Sequence, residues 1–238
     1  MIKHFFFFIA LFFSINCYSQ ALQLDLSVPQ PRLGESFYLS FSSDTLSKQI
    51  FNLAPEKFRV NSYSAFTGAE TSFSANIEAI HIGQNEIGPL TFEFNGHTYK
   101  TNVIKFTVAD SLPNVGRGIW LRKVPVNDST VYIIIDQRIP AHNRITRPNI
   151  NSISMTAEVN SDEKEARLQT DSIENAKIEE WGSSSDTKPD FTGTGLSYGS
   201  YYKCYKVTVL SIGKPLVLTK QAFENLPDYY KFENITIN

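Results

Sequence analysis

Apolar and polar residues alternate with a period of two along much of this chain, the pattern of strands with one face buried. Residues 22–28, LQLDLSV, set Leu22, Leu24, Leu26 and Val28 against Gln23, Asp25 and Ser27. After the turn signals Pro29-Gln30-Pro31 and Gly34, residues 36–42 resume with Phe37, Leu39 and Phe41 on one face, and 57–64 and 71–82 predict further strands. The most regular stretch is 87–108, IGPLTFEFNGHTYKTNVIKFTV. There Leu90, Phe92 and Phe94 point one way and Thr91, Glu93 and Asn95 the other. Asn95-Gly96 suits the two positive-φ positions of a type I′ turn, and a second strand returns with Ile104, Phe106 and Val108 on one face. The stretch reads as a hairpin.

Breaker and polar residues gather at Ala109–Gly116, which predicts a domain boundary. Beyond it lie strand candidates near 118–124 and 130–138. Residues 141–190 are polar, with a short helix over 162–169 conceivable on propensity but without an apolar stripe, so this region is expected to be mostly loop with short strands. Aromatic and β-branched alternation returns over 199–218, with Gly213-Lys214-Pro215 as a turn, and FENITI closes the chain in strand composition. Short strands separated by turns at this density predict an all-β protein of β-sandwich type, not βαβ units. The expected divisions are a leader at 1–19 and domains at 20–112 and 117–238.

The leader changes the picture of where the chain works. Lys3 precedes the apolar run Phe5–Phe13 and a polar stretch ending Cys17-Tyr18-Ser19, the plan of a secretory signal peptide with Gln20 as the new N-terminus. The run is too short to span a bilayer, and no later run approaches that length. Lipidation at Cys17 is disfavoured, because Ser14, Ile15 and Asn16 lack the aliphatic and small residues such a site needs. The expected address is the periplasm or cell envelope. Removing 1–19 takes away Lys3 and no carboxylate, leaving 21 cations against 24 anions, a net charge of −3. That excludes an electrostatic footprint for nucleic acid. Cys204, in strand composition and without a partner once Cys17 is lost, reads as a structural thiol.

Candidate chemistry is sparse. His81, His97 and His142 have no HxxH, HExxH or CxxC spacing, so no metal is expected. There is no Gly-x-Ser-x-Gly elbow and no phosphate-cradling GxxxxGK[ST] loop. GTGLSYG at 193–199 lacks a following amphipathic helix and reads as a loop. The carboxylate pairs Glu179-Glu180 and Asp162-Glu163 read as solvated faces. No catalytic residue and no cofactor is expected. Aromatics are the one class that marks a surface: Trp120, Trp181, Tyr198, Tyr201, Tyr202, Tyr229 and Tyr230 are the candidates for contact with a partner, the alternative being that they fill a core.

Residues 87–108 also carry a family signal. Ile87, Gly88, Pro89, Asn95, Gly96, Tyr99, Thr101 and Asn102, followed by Ile104, Phe106 and Val108, resemble the segment that closes the first domain of the BatD (aerotolerance, or oxygen-tolerance) family. Val103 stands where that family often has proline. RLGESFYLSF at 32–41 and GIWLRKVPVNDSTVY at 118–132 are similar to the second strand and to the opening of the next domain; KPDF at 188–191 is looser. The resemblance implies two tandem immunoglobulin-like β-sandwich domains, no catalytic residues, and work at the cell envelope beside von Willebrand-type protein partners. Full-length relatives are longer and carry a C-terminal membrane helix, so the chain is expected to be a short form of their N-terminal domains. The leading expectation is a non-enzymatic binding or scaffold protein; the alternative is a carbohydrate-binding module using exposed tyrosines and Trp181. Asp44-Thr45-Leu46, Asp110-Ser111-Leu112, Asp128-Ser129-Thr130 and Asp171-Ser172-Ile173 resemble the O-glycosylation acceptors of proteins exported by Bacteroidota.

Overall fold

The computed structural model describes residues 23–41, 46, 50, 56–67, 71–94, 96–149, 152–160, 162–171, 173–193, 195–211 and 213–238. The expected signal peptide, Cys17, Thr45, Asn95 of the turn and Ser172 lie outside them. The described strands dominate the chain, which is all-β in class, and a short 3-10 segment lies at Lys220–Ala222. It divides into two compact units, Met1–Ser111 and Leu112–Asn238.

The first unit holds β1 (Leu24–Leu26), β2 (Ser36–Phe41), β3 (Phe58–Thr67), β4 (Thr71–Ala79), β5 (Gly83–Ile87), β6 (Thr91–Phe94), β7 (His97–Lys100) and β8 (Ile104–Val108). β1, β2, β4 and β3 form an antiparallel sheet in that order. Alternation puts Phe37, Leu39 and Phe41 on its buried face, opposite Ile77, Ala75 and Phe73 of β4. Phe106 and Val108 of β8 join the same core, with the Phe37 and Phe106 rings 5.9 Å apart and edge-on.

The expected hairpin over 87–108 is present but broken in the middle. β8 pairs with β5, while β6 pairs with β7, and the register is continuous between them: Ile87 faces Ile104 and Thr91 faces Lys100. The break lies where Gly88 takes φ +90° before a cis peptide bond to Pro89. Opposite it, Thr101 turns its hydroxyl to the Leu90 N–H (2.8 Å), and the Thr101 N–H donates to the Leu90 carbonyl (2.9 Å). The Asn102 amide accepts from the Leu24 N–H (2.7 Å) and donates to the Leu24 carbonyl (3.1 Å). It thus serves β1 as a neighbouring strand would, satisfying backbone groups that the sheet leaves over. Arg32, at an isolated parallel bridge to Ala109, donates to the Asp110 carbonyl (2.8 Å) and ties the entry of β2 to the exit of β8.

The second unit holds β9 (Gly118–Asn127), β10 (Thr130–Asn149), β11 (Ser152–Val159), β12 (Arg167–Leu168), β13 (Ala176–Lys188), β14 (Tyr198–Val209), β15 (Leu216–Leu218), β16 (Phe223–Glu224) and β17 (Ile235–Ile237). β10 is the spine: residues 130–138 pair with β9, 130–140 with β14, and 141–149 with β11, while β13 flanks β14. One face of this sheet presents Ile119, Val131, Ile133, Ile135, Tyr205, Val207 and Val209. Against it pack Leu168, Leu218, Phe223 and Ile237 from the small ladders β12–β16 and β15–β17. Each such fully buried aliphatic contributes about 1.5–3 kcal/mol of burial free energy.

Residues 141–190, expected as mostly loop, carry the outer half of β10, all of β11 and the 13-residue β13. The physical reason is that β13 pairs only with β14 and exposes most of its residues on both faces, so its sequence shows no apolar alternation. Its strand state comes from the ladder offered by β14.

Candidate functional site

Directly opposed residues of an antiparallel ladder share a face. On the face of the second unit's sheet that points away from the core, Trp120 and Tyr202 flank Asp136, Arg122 and Cys204 flank Ile134, and Lys206 lies beside Tyr132. This face is built from long side chains laid over a buried floor of Ile134 and Cys204.

At its centre, Arg122 donates from Nε (3.2 Å) and Nη2 (3.1 Å) to the same oxygen of Asp136, a pair whose side chains are 15 % and 6 % exposed. At one end the Arg138 guanidinium lies 4.5 Å from the Tyr198 ring centroid and 5.9 Å from that of Trp120. It also donates to the carbonyls of Pro113 (2.6 Å) and Val115 (2.8 Å), pinning that segment to the sheet. Trp120 folds back over Gly118, where a β-carbon would lie 2.5 Å from the indole, so the ring needs that glycine. At the other end a bulge between Glu180 and Gly182 inserts Trp181 as an extra residue. Its ring lies 5.6 Å from that of Tyr132, with Lys206 Nζ 5.5 Å from its centroid, and the residue remains 47 % exposed.

Burial sets the protonation of the floor. It pushes the Cys204 thiol up to about 11 and the Tyr202 phenol far above the usual tyrosine range, and it raises Tyr132 as well. Cys204 is therefore a packed, protonated thiol and not a nucleophile. Iodoacetamide at pH 8 is expected to leave it unmodified until the chain is unfolded. Because its folded pKa lies above the ordinary 9.0, its contribution to stability is complete below pH 9 and fades as pH rises toward 11. A urea midpoint followed across that window is expected to fall; a midpoint still rising there would contradict the burial.

The aromatic candidates separate cleanly. Trp120, Trp181, Tyr198 and Tyr202 share the outward face. Tyr201, opposing Gln137 and Ser185, points to the other side. Tyr229 lies under the Arg117 guanidinium at 4.7 Å, and Tyr230 packs with Phe232 at the core's margin. Tyr132, Arg122, Asp136, Arg138 and Lys206 complete the face and were not singled out by sequence; an aspartate amid the isoleucines of β10 was the signal for them.

Other chemistry-bearing residues stay apart. His81, His97 and His142 are exposed, the last 3.6 Å from Glu158. Glu179 and Glu180 face opposite sides of β13, and a hydrogen bond from Lys177 holds the Glu179 carboxyl below its usual range. The amides of Thr192 and Gly195 in the glycine-rich loop donate to the Asp190 carboxylate, so the loop's own acid occupies donors that a phosphate would need. Among the described residues no group of three or more His, Cys, Asp or Glu gathers to hold a metal, and no helix is long and apolar enough to cross a membrane.

Comparison with known families bears on the first unit. Residues 25–108 match the family model described as the BatD DUF11 like domain. No curated protein and no solved structure matches the chain. The matched span runs from β1 to the last residue of β8, so the BatD-like domain and the first unit's strands coincide. Within it three of the residues that carried the resemblance are architectural. Gly88 supplies a backbone conformation, Thr101 is buried and caps Leu90, and Asn102 holds β1. None of these three residues is fully exposed.

Proposed function

We propose that the chain is an exported, non-enzymatic cell-envelope protein of BatD type that works as a binding or scaffold module, with both units immunoglobulin-like sandwiches. Its role is in the tolerance of oxygen or related stress. The observation that supports this best is the half-exposed Trp181, flanked by Tyr132 and Lys206 on the outward face of the second unit. A large ring flanked by its neighbours loses little conformational freedom on binding, which is why Trp dominates the energetics of protein interfaces. The BatD-like domain supplies the family context, and proteins of von Willebrand type are the partners to try first.

The test is capture from an envelope extract. The wild-type chain is expected to retain a specific protein, and Trp181→Ala to weaken that retention by about 2 kcal/mol, roughly thirtyfold in affinity. Equal capture by both chains would remove Trp181 from the interface. Capture of no protein, with retention on immobilised saccharides instead, would replace the reading by a carbohydrate-binding one.

A further inference from the structure

The breaker-rich boundary expected at Ala109–Gly116 is held down at both ends, on each side by an arginine that donates to its carbonyls. In the first unit the Ala109 N–H donates to the Pro31 carbonyl (2.9 Å), and the Ala109 carbonyl accepts from the Leu33 N–H (2.9 Å). Arg32, only 7 % exposed, donates to the Asp110 carbonyl (2.8 Å). In the second unit one nitrogen of Arg138 donates to both the Pro113 carbonyl (2.6 Å) and the Val115 carbonyl (2.8 Å). The same guanidinium lies over the Tyr198 ring at 4.5 Å, so these residues are tied to β14 as well as to β10. Gly116 then lies beside Leu196 and Ser197, and Arg117 forms an ion pair with Glu163 and covers the Tyr229 ring.

Between the two clamps only Ser111 and Leu112 are left. Among the described residues Ser111 bonds only to the carboxylate of its neighbour Asp110, through its N–H (2.7 Å) and its hydroxyl (3.5 Å), and Leu112 forms no hydrogen bond. The division into two compact units falls on the peptide that joins these two residues. Pro113 fixes its own φ at about −65° and confines Leu112 to extended backbone. With the Ser111 N–H held by Asp110, the torsions left softest are ψ of Ser111 and φ of Leu112.

We infer that the connection between the units is a hinge confined to Ser111 and Leu112, with Arg32 and Arg138 as the positioning residues that set its length. A stretch of this composition, left free, is a loose tether. A clamp on either side limits its bending to a few torsions, as in hinges built from residues at the ends of packed elements. Arg138 decides how far the hinge extends. Without its guanidinium the Pro113 and Val115 carbonyls turn to water, and the free stretch grows to residues 111–115, ending at the contacts of Gly116 and Arg117.

Backbone amide relaxation tests this, using the chain from Gln20 onward. In wild type the order parameters are expected to dip below about 0.6 at Ser111 and Leu112 and to return to about 0.85 at Val115, Gly116 and Arg117. Arg138→Ala is expected to carry the dip through Asn114 and Val115. It should also raise the rate at which thermolysin cuts the Asn114–Val115 bond by more than about tenfold, read from the masses of the fragments. Amide exchange across β10 and β14 that matches wild type shows that the sheet of the variant is intact, so that the change lies in the clamp. Wild-type order parameters as low at 115–117 as at 111–112, or uniformly high from 109 to 117, would overturn the inference whatever the variant does. So would an Arg138→Ala chain with an intact sheet in which Val115 stays as rigid as in wild type.

Discussion

Replacing Gly88 by alanine is expected to destabilise the first unit by about 3 kcal/mol or more and to leave the second untouched. Two effects act together. Gly88 sits at φ +90°, where a side chain is strained whatever space surrounds it. A β-carbon there would also meet the Asn102 carbonyl oxygen at 2.5 Å. That oxygen belongs to backbone locked on both sides, because the Asn102 side chain clamps Leu24 and the neighbouring Thr101 caps Leu90. Relief must come from moving the break in the hairpin, which carries β8 and its buried Phe106 and Val108. Both tryptophans, Trp120 and Trp181, lie in the second unit. Gly88→Ala should therefore speed amide exchange across β1 to β8 while the tryptophan fluorescence transition stays where it was. A fluorescence transition that moves with the substitution would mean that the two units unfold together.

Asp136→Ala should do the reverse. It leaves the Arg122 guanidinium on the sheet without its counter-charge, and removing one member of a buried pair costs about 3–5 kcal/mol. The low end is expected, because Arg122 keeps 15 % of its side chain exposed and can turn partly to water. A loss of about 3 kcal/mol should lower the tryptophan-monitored transition of this unit by roughly 10–20 °C. The double replacement Arg122→Met with Asp136→Leu should recover most of that loss, since apolar residues of similar size often replace a buried pair at little cost. If Asp136→Ala alone were neutral, the pair would be an exposed surface contact and the centre of the outward face would be softer than its geometry indicates.

Where burial wrote itself into alternation, the strands could be read directly. Ser36–Phe41 is one such case, its Phe37, Leu39 and Phe41 all buried. The pattern in 87–108 likewise predicted antiparallel strands on either side of residues 95–96, and the residues resembling the BatD family fall within the matched span. What alternation could not show was the break at Gly88, because it depends on the approach of Asn102 from the returning strand. The mostly exposed strand β13 escaped for a related reason. A strand at a sheet's edge needs only backbone partners on one side, and those leave no mark on its own side chains.

The aromatic candidates show the same division. Composition drew Trp120, Trp181, Tyr198, Tyr201, Tyr202, Tyr229 and Tyr230 together as one class. Only the ladder registers separated the four on the outward face from Tyr201 on the other side and from Tyr229 and Tyr230 near the C-terminus. One extra residue at the Glu180/Gly182 bulge aimed Trp181 at Tyr132 and Lys206. Local sequence, through periodicity and turn chemistry, was enough to determine an all-β chain, and the residues resembling BatD lie in the stretch that matches the BatD DUF11 like domain. Which residues share a face, and so which of them can act together on a partner, was decided by tertiary structure, because strand pairing joins positions that are distant in the chain and a single bulge shifts which of them meet.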